Sequence, residues 1–358
     1  MKICRFLSFL LLCTFVAGSV HGRDVVRHVT KTFDAIGGME LIVDNRYGNI
    51  VVRTWESNEI SFSVEIKGKA RKEDMAQKMA DRVRINFTRN PSSVSARTVI
   101  AEKKENCSDC GVEINYTIQV PRYVRLNLSN KYGNILLDQI DQPFRGDIRY
   151  GDLRAERLGG RSNRVECHYG NVHVMQATTL ALSAAHSDVT VDKAASLTVT
   201  TSYSGVRVGE TDYMTMNSKY DNYHVKRVGQ LFADAPKYTQ FRVEQLEQSL
   251  SVTGMSYGSI KILKVSPEFA RIQVNATYSD IQIGLSTRQV VQLDITNRYG
   301  QINMDKRFNT SRLNAPRDLS KERDLEYVVG ILGEGNTVRG EVLIKNTHGK
   351  IRVGEVKN

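Results

Sequence analysis

Short runs of alternating apolar and polar residues recur along this chain, and each follows the same kind of corner. The clearest copy is Asn45-Arg46-Tyr47-Gly48-Asn49-Ile50-Val51-Val52. With Tyr47 as the marker, the slot is refilled by Tyr132, Tyr150, Tyr169, His186, Tyr203, Tyr220, Tyr238, Tyr257, Tyr278, Tyr299 and His348. From Tyr132 to Tyr299 the spacings are 18, 19, 17, 17, 17, 18, 19, 21 and 21 residues, the kind of period that stacked repeats show. Three and five places past each marker the residue is apolar, as in Val172 and Val174 or Val206 and Val208. The place between is mostly polar, so the period is two and each copy predicts a half-buried β-strand. Gly, Asn, Asp or Ser mostly fill the two places after the marker, and their tolerance of positive φ predicts a bend there.

A second strand precedes each corner, as in Leu126-Asn127-Leu128, Leu197-Thr198-Val199 and Leu293-Asp294-Ile295. Two short strands and a corner cannot bury their own apolar side, but stacked copies can. The predicted fold class is therefore all-β: a single-chain parallel β-solenoid, or β-helix, with rungs of 17–21 residues. Right-handed winding is the default for parallel crossovers. Two places before the marker a small or polar column should face inward, with Asn45, Asn130, Asn297 and Asn346 at its ends. The marker column itself predicts a spine of stacked rings.

The rhythm stops twice. Residues 61–125 read as a small α+β elaboration capping the first rung: a strand at Ser61–Ile66, a helix at Glu73–Val83 and a strand at Glu113–Val120. The helix should bury Met75, Met79 and Val83 on one face. Residues 305–341, charged from Arg312 to Arg323, form an irregular C-terminal segment before the last rung. Residues 1–22 read as a signal peptide: Lys2 and Arg5, an apolar run from Phe6 to Ala17, then small residues at the cleavage site. That leaves residues 23–358 as one domain, exported to the periplasm, outer surface or exterior. No later run is long enough for a membrane span.

Charge narrows the partners. The chain carries a net +11, or +9 without Lys2 and Arg5, which favours anionic partners such as an acidic polysaccharide. Nucleic acid is not expected, because no recognition helix, zinc finger or RNA-binding aromatic motif is present.

An early Tyr-Gly-Asn-Ile, a strand ending Ile118-Gln119-Val120-Pro121 before Leu126-Asn127-Leu128, and repeated Gly-Asn/Asp-Ile/Val units together carry a resemblance. The chain resembles the bacterial putative-adhesin family of β-strand repeats, and the related head-domain family of autotransporter adhesins. The resemblance implies a β-solenoid in the envelope or outside the cell, and brings no catalytic residues with it. His186 and His348 in the Tyr slot, and the missing Gly in the middle rungs, depart from the pattern.

Little in the sequence points to chemistry. Cys107-Ser108-Asp109-Cys110 offers a disulfide across a short loop in an oxidising compartment. Cys167 falls in the inward column and reads as a buried thiol. His173 and His224 stand three rungs apart, too far to share a metal. Asp138 and Glu156 share a column on adjacent rungs, but the calcium nonapeptide is absent. A lyase-like β-helix enzyme needs acid, base and cation ligands gathered in a cleft, and these rungs leave almost no loop to build one. No cofactor or metal site is expected.

The outward column does offer a surface. Arg207, His224, Arg242 and Lys261 occupy consecutive rungs, about 14 Å in all at strand spacing, with Lys226 beside them and Glu244 interrupting. The expected function is non-enzymatic: adhesin-like binding, with anionic polysaccharide or an envelope protein as partner and this stripe as candidate site. The chief alternative is an architectural role without a dedicated ligand, self-associating end to end.

Overall fold

The structure, a computed structural model, describes residues 23–102, 107, 109–314 and 324–354; the expected signal peptide lies outside them. The described residues are all-β, with twenty-two strands in one sheet and a single helix, Glu73–Asp81. No helix among them is long and apolar enough to cross a membrane.

Through the middle of the chain, consecutive copies of the repeat lie side by side in parallel, like places on like places. Val172, Val189, Val206, Tyr223 and Phe241 follow one another down the column three past the marker. In the upstream segment Leu180, Leu197, Met214, Leu231, Leu250 and Ile272 do the same. Both sets point into one continuous core. Each such side chain contributes about 1.5–3 kcal/mol on burial, which is why the pattern survives as the polar residues drift. In the two apolar columns only Ile302 and Met304 are half exposed, which marks the rung of Tyr299 as an end of the stack.

The sheet is mixed, not parallel throughout as the repeat alone predicts. At the N-terminal end Glu59–Ala70 runs antiparallel to both Gly111–Pro121 and Arg23–Asp34, and Val83–Asn90 runs antiparallel to Ser93–Ile100. At the other end Leu325–Leu332 runs antiparallel along Val291–Met304. A stack end offers an unpaired strand edge, and these antiparallel segments cover it without another turn of the repeat. Ser93–Ile100 and Gly111–Pro121 run parallel beside the two strands of the first rung, Glu40–Arg46 and Ile50–Trp55. The helix is shorter than expected: it buries Ala76, Met79 and Ala80, Met75 is half-buried, and Val83 begins the next strand. Its backbone lies so close to Gly68 that a Cβ there would stand 2.0 Å from the Ala76 carbonyl oxygen. The outermost strand carries the exposed Lys31, a cation that discourages further pairing and so weighs against end-to-end stacking here.

Among the twelve marker rungs, spatial order departs from sequence order once. Gly340–Gly354, the rung of His348, lies between Arg271–Gly284 and Val291–Met304, parallel to both. The last rung of the sequence is therefore the penultimate rung of the stack.

The corner differs from expectation too. All twelve markers have positive φ, between 49° and 63°. The left-handed residue is the Tyr or His itself, and the glycine after it serves close approach. A Cβ on Gly133 would stand 1.9 Å from the Gly48 carbonyl oxygen, and one on Gly170 equally close to that of Gly151. The corner also leaves amides outside the strand ladder. In the first rungs side chains two past the marker accept them: Asn134 N–H donates to Asn49 Oδ1 at 2.9 Å, Asp152 N–H to Asn134 Oδ1 at 2.9 Å, and Asn171 N–H to Asp152 Oδ1 at 2.8 Å. Where glycine is missing, the residue one past the marker takes over. Ser187 N–H donates to Ser204 Oγ at 3.2 Å, and Ser204 N–H to Asp221 Oδ1 at 2.8 Å. At the stack ends the inward asparagines hold corner carbonyls, as Asn130 Nδ2 does for Gly48 at 2.9 Å.

Two buried tyrosines give the core a pH dependence. Burial raises the Tyr116 phenol to about 12, partly offset by its hydrogen bond with Thr98, and raises Tyr223 in the same direction. The folded state keeps the proton that the unfolded chain releases near pH 10. The stabilisation is therefore complete below about pH 10 and lost as pH rises toward 12, on the order of 2–3 kcal/mol for Tyr116. Thermal unfolding from pH 9 to 12 should show this fall, and it should flatten in Tyr116→Phe/Tyr223→Phe. An equally steep fall in that variant would assign it to other groups.

Candidate functional site

The left-handed corner aims each marker ring out of the stack and over its neighbour. Eleven ring contacts join the twelve markers into one ladder, with centroids 4.4–5.3 Å apart and interplanar angles of 2–23°. A left-handed non-glycine residue costs about 1–2 kcal/mol, and an aromatic pair returns about 0.5–1.5 kcal/mol beyond area burial. The two nearly cancel, so stacking is what lets a bulky residue hold this corner. The tyrosines of the ladder remain 39–54 % exposed, yet neighbours cover the ring faces along its length. A sugar ring stacks on an open aromatic face, so the ladder offers it edges and hydroxyls instead.

Beside the ladder runs a groove of about 880 Å³ lined by Arg207, His224, Arg242 and Lys261, with Tyr203 and Tyr220 along it. Strand register sets Arg207 beside His224 and His224 beside Arg242. Four of the five residues of the expected stripe thus meet in one concave surface. Lys226 is exposed but does not line the groove. His224 Nε2 lies 2.6 Å from Glu244 Oε1, so the acid expected to interrupt the stripe is tied to its histidine. Asp188 stands at one end of the groove. A smaller concavity of about 390 Å³ at Tyr169, His186 and Tyr203 continues it along the ladder. The aromatic wall is the spine of stacked rings expected from the marker column; its place beside the basic stripe was not drawn from the sequence. The signal for that adjacency was present, since each basic-column residue follows its marker by four places.

The remaining candidates do not gather. Cys107 and Cys110 are joined by a disulfide, Cα–Cα 5.5 Å, in the N-terminal cap. A separate cavity of about 680 Å³, lined partly by Arg46, Arg82 and Cys110, lies there, remote from the stripe. Cys167 is buried, and burial raises its thiol pKa, which keeps it protonated and unreactive. His173 faces Asp192 at 2.9 Å. Asp138 accepts the Thr54 amide at 3.3 Å. Among the described residues no three His, Cys, Asp or Glu side chains converge as metal ligands would.

No family model matches the chain, and no curated protein matches it. Solved structures similar to it include a putative cell adhesion protein from Clostridium sporogenes, 8% identical, covering 92% of this chain and 99% of that one, TM-score 0.23. A putative adhesin from Parabacteroides merdae is 10% identical over 92% of this chain and 97% of its own, TM-score 0.36. A putative lipid binding protein from Parabacteroides distasonis is 15% identical over 67% and 97%, TM-score 0.38.

Proposed function

We propose that the protein is an exported, non-enzymatic β-solenoid of adhesin type that holds a linear polyanion, an acidic polysaccharide, in the groove beside its aromatic ladder. One observation carries this reading: Arg207, His224, Arg242 and Lys261 line one groove from four consecutive rungs. Arg207, Arg242 and Lys261, spread over four rungs at about 4.8 Å per rung, suit a polymer with repeated charges better than a single compact anion. Phenol hydroxyls along one wall supply hydrogen bonds to sugar oxygens without needing a free ring face. The reading of residues 1–22 as a signal peptide supports a location outside the cytoplasm.

The test is retention of the mature chain on immobilised polyuronate or heparin across a salt gradient. Retention should weaken with salt, and Arg207→Ser/Arg242→Ser/Lys261→Ser should remove it while costing no more than about 1 kcal/mol in thermal stability, since charges on the solvent side of a strand contribute little to folding even where half-buried. Undiminished retention of that variant would eliminate the groove as the site. The architectural alternative expects no retention from either protein.

A further inference from the structure

The rung that breaks sequence order carries a second, independent inference. Tyr278 and Tyr299 are consecutive markers in sequence, yet their rings do not touch each other. His348 stands between them, 4.4 Å from Tyr278 and 4.9 Å from Tyr299. Arg271–Gly284 and Val291–Met304 therefore fold with a gap one strand wide, and Gly340–Gly354 fills it from the far end of the chain.

The gap is specific for its occupant on every side. One neighbour pairs with it from Arg271↔Glu341 to Gly284↔Gly354, the other from Val291↔Gly340 to Met304↔Val353. Val342, Ile344, Ile351 and Val353 complete the core at 0% exposure. Asn346 Nδ2 donates to Ser279 O at 3.0 Å and to Asn297 Oδ1 at 3.3 Å, bridging the two walls. Gly340 seats against Phe269, where a Cβ would stand 2.5 Å from the ring. Without this segment both walls present unpaired strand edges and open core, the condition under which a sheet takes up a strand from elsewhere.

The connection to the occupant is long. Thirty-five residues, 305–339, separate Met304 from Gly340. Within them Leu325–Leu332 runs along the outer side of Val291–Met304, so the chain passes over the end of the stack before returning to its interior. Every earlier rung from Tyr132 onward lies beside its sequence neighbour, whereas this place is filled by the last described strand of the chain.

We propose that this gap is a strand-acceptor site that takes residues 340–354 either from its own chain or from a second copy, so that copies folding together become linked by exchange of their C-terminal strands. A tether of this length reaches its own gap or another with the same contacts. The balance is then set by effective concentration and by the order of folding.

Asp294 and Leu343 are register partners on the outward side of the two strands. Full-length Asp294→Cys and Leu343→Cys chains, carrying different affinity tags, would be refolded together at rising concentration and mildly oxidised. The expected result is a covalent species of doubled mass holding both tags, growing with chain concentration during refolding and absent when the folded proteins are mixed afterwards. An Asp294→Cys and Glu341→Cys mixture, out of register, should not give it. A fluorescent peptide of residues 340–354, present during refolding of the unmodified chain, should be retained, and its Ile344→Asp version should not. Monomer alone at all concentrations with no peptide retained, or equal retention of both peptides, would overturn the proposal. Neither result bears on the polyanion groove.

Discussion

Val208→Asp is expected to loosen the middle of the stack, while Arg207→Asp, one residue away, leaves it nearly unchanged. Val208 is 2% exposed, set in register between Val191 and Val225, and Arg207 is on the exposed face. A carboxylate at 208 has no cation or donor in an apolar column, so it is buried charged or takes up a proton. Either way the cost is at least about 3 kcal/mol. Each rung contacts only its neighbours, so the damage should spread through adjacent rungs before it reaches the capped ends. Hydrogen exchange should show it as lost protection centred on Asp188–Ser202 and Asn222–Asp234. Arg207→Asp changes a solvated charge and should stay within about 0.5 kcal/mol. Equal damage from the two would mean that the alternation had been read one residue out of register, which would turn the groove residues inward.

That alternation was legible because burial imposes it: each apolar place in the repeat repeats the same demand on consecutive rungs, so Val172, Val189 and Val206 remain recognisable when little else does. The basic column was legible for the same reason, since a strict period of two fixes which side chains share a face. Spatial order was not legible. A period says how far apart the copies lie in sequence, but nothing in the spacing of Tyr278, Tyr299 and His348 says that the third lies between the first two. The corner was misread because single-residue preferences assign positive φ to Gly48 and Asn49. In the fold Tyr47 holds that conformation, supported by the ring of Tyr132 85 residues later, a contact no local preference encodes. Ser93–Ile100 went unrecognised because it pairs with the first rung without repeating its sequence.

The missing glycine of the middle rungs leads to the second large effect, at Asp221. Where early rungs have glycine one past the marker, this rung places a carboxylate at 2% exposure. Four donors converge on it: Ser204 N–H on Oδ1 at 2.8 Å, and Thr201 Oγ1, Ser218 Oγ and Lys219 N–H on Oδ2 at 2.7, 2.6 and 2.9 Å. The same Thr201 hydroxyl touches the buried Tyr223 phenol, and Ser218 that of Thr239, so one acceptor anchors a polar network inside an apolar stack. Asp221→Ala removes the acceptor and leaves the donors buried. At about 1–3 kcal/mol for each group left unsatisfied, with partial rearrangement, the loss should be on the order of 3–5 kcal/mol. Asp221→Asn keeps one accepting oxygen but turns an amide toward a donor, and should fall between that variant and the parent. Amide exchange at Ser204 and Lys219 should accelerate in both, most in Asp221→Ala. If Asp221→Ala instead melted with the parent, the close approach of neighbouring corners alone would hold these rungs, and the carboxylate would be incidental to the substitution of glycine.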